Sequence, residues 1–369
     1  MELTYKNKKS QSEILKLSSN AAKSNKIDIN KDCSLFIFGD NFNAMSALLE
    51  NGWKEKVDLI YIDPPYNTNQ VFTVSNDERV STISRSLGEN TVVAYNDNFT
   101  IEEYIEFMRE RLILMKELLS ERGSIYVHID NKMGHYLKLI LDEIFGIQNF
   151  INDISRIKSN PKNFSRRAYG NEKDMVLFYA KNAKKNIFNN VTIPLTDDEK
   201  VEMFHKVDEN GRRYNTVPVH APGETLNGET GREWKGMLPP KGRHWRASPS
   251  ELDKLDKQNL IEWSKNGVPR IKKFADEHKG KKIQDIWTFK DPAHPSYPTE
   301  KNSNMLEMII SQSSNENSII MDCFAGSGST LKTAEKLGRK WIGIDVSPVS
   351  FGVVRKNLET IDFQLITLK

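Results

Sequence analysis

Cysteine is almost missing from this chain. Only Cys33 and Cys323 occur in 369 residues, far apart and without metal-ligand spacing, so neither a disulfide framework nor a zinc cluster is expected. The seven histidines are scattered, His128 sits inside the apolar strand-like run YVHID, and no metal is expected. No apolar run reaches the roughly 20 residues that a membrane-crossing helix needs. The opening MELTYKNKKSQSE lacks the apolar core of a secretion signal, so the expectation is a cytoplasmic, reducing setting with no membrane partner. Charge of one sign is also lacking. A net charge of +3 is too small to identify a nucleic-acid partner, which leaves its distribution to carry that argument. Repeats and low-complexity tracts are absent.

What the chain does have is VDLIYIDPPY, Val57 to Tyr66. Val57, Leu59, Ile60 and Ile62 form the short continuous apolar run of a strand buried on both faces. Asp63 stands at its carboxyl end, where open α/β sheets place their ligands. Pro64 and Pro65 fix φ and remove two N–H donors, so neither sheet nor helix continues, and Tyr66 adds a flat ring with a polar tip. Taken alone, the segment reads equally well as an ordinary strand exit or as a rigid active-site turn.

The surrounding pattern alternates strand and helix. SLFIFGD (Ser34 to Asp40), the helical NAMSALLENG and the DPPY strand make one parallel crossover unit. Residues 1 to 32 are polar and lysine-rich and read as a loosely attached arm. The polar stretch Asn67 to Asn98 reads as a long loop over the pocket, its length suggesting a lid. Thr100 with Glu103 caps a helix carrying Ile101, Tyr104, Ile105, Met108, Leu112, Met115 and Leu119 at helical spacing, closed by Gly123. SIYVHID is the next strand. Phe150 to Ile157 and Met175 to Ala180 read as an antiparallel hairpin at the sheet edge, flanking SNPKNFSRRAYGNEK, whose Arg166 and Arg167 are candidates for DNA contact.

From about Asn186 to Gln284 this alternation disappears. From Gly231 to Lys282 there are fourteen Lys or Arg against seven Asp or Glu, interleaved with Trp234, His244, Trp245 and Trp263. Basic residues mixed with aromatics suit phosphate contacts and base stacking, for which Arg212, Arg213, Lys235, Lys241, Arg243, Trp245 and Arg246 are the candidates. The same pattern fits a small module with tryptophans in its core and lysines on its solvated face.

The last eighty or so residues return to α/β grammar, ending in a helix capped by Ser347-Pro348. In DCFAGSGST, Asp322 to Thr330, a buried strand enters a glycine-rich turn at a helix N-terminus. Gly326 and Gly328 let a ligand approach the backbone closely. Asp345 closes the next strand at the spacing where nucleotide-binding folds place an acid on ribose hydroxyls. Leu331 replaces the third glycine of G-x-G-x-x-G and no G-K-[ST] follows, which disfavours dinucleotide and P-loop ligands. An acid at the front of the loop suits a cationic ligand better than a phosphate.

Together these residues resemble the S-adenosylmethionine-dependent DNA amino-methyltransferases. DPPY looks like that family's catalytic motif and FAGSG, Phe324 to Gly328, like its cofactor motif. Their order here is that of the β group, with target recognition between them, and YNDNF with FMRERL is similar to modification subunits of type III restriction systems. The resemblance implies an α/β fold: a doubly wound, mostly parallel, circularly permuted seven-stranded Rossmann-like sheet. Residues 33–189 and 284–369 would form the catalytic domain and residues 190–283 an inserted target-recognition domain. It further implies that the FAGSG strand lies beside the DPPY strand despite more than two hundred intervening residues.

The resemblance assigns catalysis to Asp63, Pro64, Pro65 and Tyr66, with Asn67 and Phe324 completing the pocket. Cofactor contacts fall to Asp40, Asn41, Thr299 and Lys301 (the latter two from YPTEKN), and to Asp322, Phe324, Ala325, Gly326, Gly328, Thr330 and Asp345. The expected reaction is methyl transfer from S-adenosyl-L-methionine to N6 of an adenine flipped out of double-stranded DNA. A homodimer and a cognate restriction endonuclease are the other partners it implies. N4-cytosine methylation, a DNA-binding specificity subunit with vestigial catalysis and an NAD-dependent oxidoreductase are the competing readings.

Overall fold

The computed structural model describes residues 2–25, 27–30, 32–67, 99–160, 167–291 and 300–368, together with the backbone of 70–75 and 91–97. Two compact units emerge, residues 1–191 with 284–369, and residues 192–283.

The larger unit is built on strands β1 (Ser34–Phe38), β2 (Val57–Ile62), β3 (Leu119–Ile129), β4 (Phe150–Ile157), β5 (Lys173–Ala180), β6 (Ile286–Thr288), β7 (Ile319–Asp322), β8 (Lys340–Asp345) and β9 (Phe363–Thr367). They form one sheet in the order β6-β4-β5-β3-β2-β7-β8-β1-β9. Only β5 runs against the others, pairing antiparallel with both β3 and β4. The sheet is therefore α/β and mostly parallel, but with nine strands where seven were expected. The additions lie at the two ends: β6 pairs with β4, so the β4/β5 pair is not the edge, and β9 covers β1. The apolar run of β2 reads as it does because both faces are covered, Val57, Leu59, Ile60 and Ile62 being fully buried.

Helices α1 (Gln11–Ser24), α2 (Asn41–Leu48), α3 (Ile101–Leu118), α4 (Gly134–Phe145), α5 (Ser303–Ser313), α6 (Ser329–Lys336) and α7 (Pro348–Asn357) belong to the same unit. The N-terminal arm is not loose. Ser10 and Glu13 make a reciprocal capping box for α1, whose Ile14, Ser18 and Ala22 are buried. Ion pairs from Lys8 to Glu143 on α4 and from Lys9 to Glu110 on α3 tie the preceding segment down. The α3 helix ends at Leu118 and the chain enters β3 at once, so Gly123 lies inside a strand rather than at a helix end. The stretch expected as a long loop contains an antiparallel strand pair, Gln70–Ser75 with Thr91–Asp97. Most of the closing role expected of Asn67 to Asn98 falls outside the described residues.

The smaller unit holds a four-stranded antiparallel sheet built from residues 206–207, 213–218, 261–263 and 269–274, with a helix at Pro249–Lys257. Its core is Val219, Trp234, Trp245, Leu252, Ile261 and Ile271.

Candidate active site

The two motifs meet at one edge of the sheet. β7 pairs in parallel with β2, Ile320 opposite Leu59 and Met321 opposite Ile60, so the DPPY and FAGSG turns leave adjacent strands in the same direction. Continuing that register sets Asp63 level with Phe324. This is the crevice that permuted order required, and a contact between residues so distant in sequence is what makes it a site.

On the DPPY side, the Tyr66 hydroxyl donates to Asp63 Oδ1 at 2.7 Å and the Lys301 ammonium contacts Asp63 Oδ2 at 2.9 Å. Both carboxylate oxygens are therefore engaged and the side chain is held in one orientation. Lys301 Nζ also lies 5.3 Å from the Tyr66 ring centroid, within cation–π range. Lys301, expected on the cofactor, sits against the catalytic motif. Pro65 is anchored from α3, its carbonyl accepting from the Tyr104 hydroxyl at 2.6 Å. The Tyr66 hydroxyl is pushed well up by burial and by the nearby Asp63 charge, which keeps it a proton donor.

On the glycine side, Gly326 (φ 52°) and Gly328 (φ 75°) adopt left-handed backbone conformations. A Cβ on Gly328 would come within 3.0 Å of Val354. Asp322 and Asp345 brace this turn. Asp322 accepts from the Phe324 amide at 3.0 Å, and Asp345 accepts from the amides of Gly326 and Ser347, each at 2.8 Å. Asp345 thus shapes the loop whatever else it holds. Ala325 and Thr330 are buried beside it, and the Phe324 ring packs on Phe107 at 6.3 Å. Burial pushes the Asp322 carboxyl up to about 7, hydrogen bonds from Thr330 and Phe324 opposing the shift. Burial likewise raises Asp345. Among the described residues no cationic side chain pairs with Asp322, so this acid is buried without a counter-charge of its own.

Asp40 and Asn41 belong to the same side. Asp40 caps α2 through the Asn43 amide at 3.0 Å, and Asn41 donates to the Cys323 carbonyl at 2.9 Å. Both are gripped by Arg111 of α3, which reaches Asp40 Oδ2 at 2.9 Å and Asn41 Oδ1, while its guanidinium stacks 3.6 Å from the Phe107 ring centroid. Sequence reasoning missed Arg111. The available signal was its spacing, seven residues after Tyr104 and four before Met115, on the inward stripe of the helix. Thr299 lies outside the described residues.

The basic candidates divide. Trp245 is 3% exposed in the core of the smaller unit and its indole donates to the Arg232 carbonyl at 2.8 Å, so the expected stacking role is corrected to a packing one. Arg212 is committed to Asp276 and Glu277, and Lys235 to Asp256. Lys241, Arg243 and Arg246 are exposed. Arg213 is half-buried; in the larger unit Arg167 is exposed, and Arg166 lies outside the described residues.

A carboxylate fixed at one strand end beside a glycine turn whose strand-end acids meet no cation among the described residues is an arrangement that can hold a positively charged ligand next to a hydrogen-bond acceptor. The comparisons with known proteins say which. Residues 57–351 match the family described as DNA methylase, which takes in N6 and N4 enzymes, and the chain belongs to it. The methyl donor of this family is S-adenosylmethionine, and the uncompensated Asp322 suits its cationic groups. Among curated relatives, the chain is 43% identical to the type II methyltransferase M.EcaI of Enterobacter cloacae over 340 residues, covering 89% of this chain and 71% of that one. It is 26% identical to the type III EcoP15I Mod subunit of Escherichia coli over 83% of this chain, and 26% identical to the StyLTI Mod subunit of Salmonella typhimurium over 80%. The chain spans only 56% and 49% of those two subunits. Among the described residues no helix is long and apolar enough to cross a membrane.

Proposed function

We propose that this chain is a site-specific DNA methyltransferase of a restriction-modification system that methylates the exocyclic N6 of adenine. The observation that carries this reading is Asp63, oriented through both oxygens at the end of β2, one strand away from the glycine turn.

The lone pair of an exocyclic amine is delocalised into the base, so the chain's task is to localise and aim it. Asp63 and the Pro64 carbonyl would accept the two N–H bonds, and the prolines keep that pair rigid, which is the geometry in-line transfer needs. S-adenosylmethionine supplies an electrophilic methyl group on a sulfonium. As the new bond forms the amine turns acidic, and Asp63 takes its proton. A base inside a duplex cannot reach the crevice, so it must be extruded, and the half-buried Tyr66 ring offers it a stacking face. Asp345 and Gly326 hold the donor loop, while Asp322 meets a cationic group of the donor.

The smaller unit is proposed to recognise the target, with Lys241, Arg243 and Arg246 on phosphates. Replacing Arg243 and Arg246 by Ala should weaken binding to all DNA sequences alike and lower the log–log salt slope by ~1 per lost phosphate contact. An unchanged slope would remove them from the interface. Mass spectrometry of DNA from a methylation-free host expressing the chain tests the main reading. N6-methyladenine is expected; N4-methylcytosine would select the other branch of the family, and no modified base would sink the assignment. The same likeness carries a cognate endonuclease and a homodimer as proposals, and sedimentation of the purified chain tests the latter.

A further inference from the structure

Beneath the acceptor site lies a chain of buried polar groups that the transfer chemistry does not use. The Tyr61 hydroxyl is 2.9 Å from His128 Nδ1, and His128 Nε2 is 3.3 Å from Asp174 Oδ2. His128 is fully buried and Tyr61 and Asp174 nearly so. Asp174 in turn is held by Lys158 at 2.6 Å and Arg156 at 3.7 Å, and Arg156 reaches on to Asp291. The three residues come from three strands, β2, β3 and β5, whose pairing sets their level. Tyr61 lies opposite Tyr126 and Ile62 opposite Val127, so the next step places Asp63 beside His128. The His128 ring also lies 6.4 Å from that of Tyr66.

We propose that Tyr61, His128 and Asp174 form a positioning relay of fixed polarity that sets the end of β2, and with it Asp63, for methyl transfer. The inference rests on the reading of Asp63 as the amine acceptor.

The polarity follows from chemistry. Burial alone would raise the Asp174 carboxyl, but the hydrogen bonds from His128 and Lys158 and the Lys158 charge outweigh it and hold Asp174 below the ordinary carboxylate range. An ionised carboxylate only accepts, so His128 Nε2 carries the hydrogen. Burial, reinforced by the Lys301 cation, lowers the proton affinity of His128 despite the opposing pull of Asp174 and Asp63. The imidazole is therefore neutral, its Nδ1 is a bare acceptor, and Tyr61 must donate to it. Burial keeps the Tyr61 hydroxyl far from ionising. With every partner in one role, the relay has a single arrangement, and the strand carrying Asp63 is pinned two residues from the carboxylate. The charged and titratable groups facing His128 are Tyr61, Asp63 and Tyr66 at the end of β2, Asp174 on β5 and Lys301, with Arg156 and Lys158 behind Asp174.

Glutamine in place of His128 can donate to Asp174 and accept from Tyr61, keeping the polarity, whereas leucine of similar size can do neither. The expected result is that His128→Leu lowers kcat about 10- to 100-fold, with the Kd for S-adenosylmethionine and the KM for DNA unchanged, while His128→Gln stays within about threefold of wild type. The wild-type kcat should fall on the acid side as the imidazole takes a proton and can no longer accept from Tyr61, a component His128→Gln should lack. Tyr61→Phe removes only the hydroxyl and serves if His128→Leu does not fold; it should lower kcat severalfold. Wild-type kcat in folded His128→Leu or in Tyr61→Phe, or equal losses in the Leu and Gln variants, would overturn the relay. Absence of any transfer by the wild-type protein would instead overturn the reading of Asp63 on which it rests.

Discussion

The strand-end carboxylates on the two sides of the crevice are treated in opposite ways, although Asp40, farther out on the glycine side, is paired with Arg111. On the β2 side, Asp63 is matched by Lys301 and the Tyr66 hydroxyl, and Asp174 behind it by His128, Lys158 and Arg156. On the β7 side, the buried Asp322 and the half-buried Asp345 are held by backbone amides and hydroxyls and by no cation among the described residues, and desolvation drives both carboxyls up. The difference teaches what each side awaits. A side whose charges are already balanced is set up to hold a neutral base in one geometry, and a side with unbalanced acid is incomplete until a cation arrives.

The largest effect should come from breaking the matched side. Asp63→Asn removes the charge proposed to localise the amine lone pair and to take its proton. Methyl transfer should fall by at least about 1,000-fold. Cofactor affinity, measured by calorimetry, should stay near wild type. On the unmatched side, Asp322→Asn should weaken S-adenosylmethionine binding by roughly 10- to 100-fold, the loss of one charge-assisted contact.

The same residue gives a pH signature. The folded Asp322 carboxyl sits at about 7, above its unfolded value, so the ligand-free protein binds more protons than the unfolded chain in that interval and loses stability as pH rises through it. A cationic ligand favours the ionised form. Cofactor affinity should therefore climb between about pH 6 and 8 as Asp322 ionises. The Asn variant should show a flat profile, and a wild-type profile that is flat or falling would show that no cation meets Asp322. A smaller effect is expected at the boundary between the two sides. Lys301→Met should lower methyl transfer about tenfold, ~1.4 kcal/mol, through Asp63 and leave cofactor affinity unchanged. A loss in affinity alone would return Lys301 to the donor side.

Much of this was legible from the sequence because it is local. A continuous apolar run ending in Asp-Pro-Pro-Tyr, and another ending in Asp and a glycine turn, announce strand ends and special backbone without any tertiary knowledge. Their adjacency needed the family resemblance, since nothing in spacing links Ile60 to Met321. Pairings at long range were invisible for the same reason: Lys301 on Asp63, Arg111 on Asp40 and Asn41, and His128 on Asp174 join ordinary-looking positions. The strand Ile286–Thr288 is too short to show a period, and it forms because β4 offers it an edge. The N-terminal arm reads as loose because only Ile14, Ser18 and Ala22 mark its buried face, and its anchors lie 101 and 135 residues away. Trp245 was misplaced because aromatics among basic residues look alike whether they fill a core or face a nucleic acid.

The division of labour between the two sides is tested most directly by single-turnover methyl transfer at saturating S-adenosylmethionine, measured for Asp63→Asn and Asp322→Asn side by side. Excess cofactor should restore Asp322→Asn to within a few-fold of the wild-type rate and leave Asp63→Asn silent. Equal, unrescued losses in both variants would contradict that division of labour.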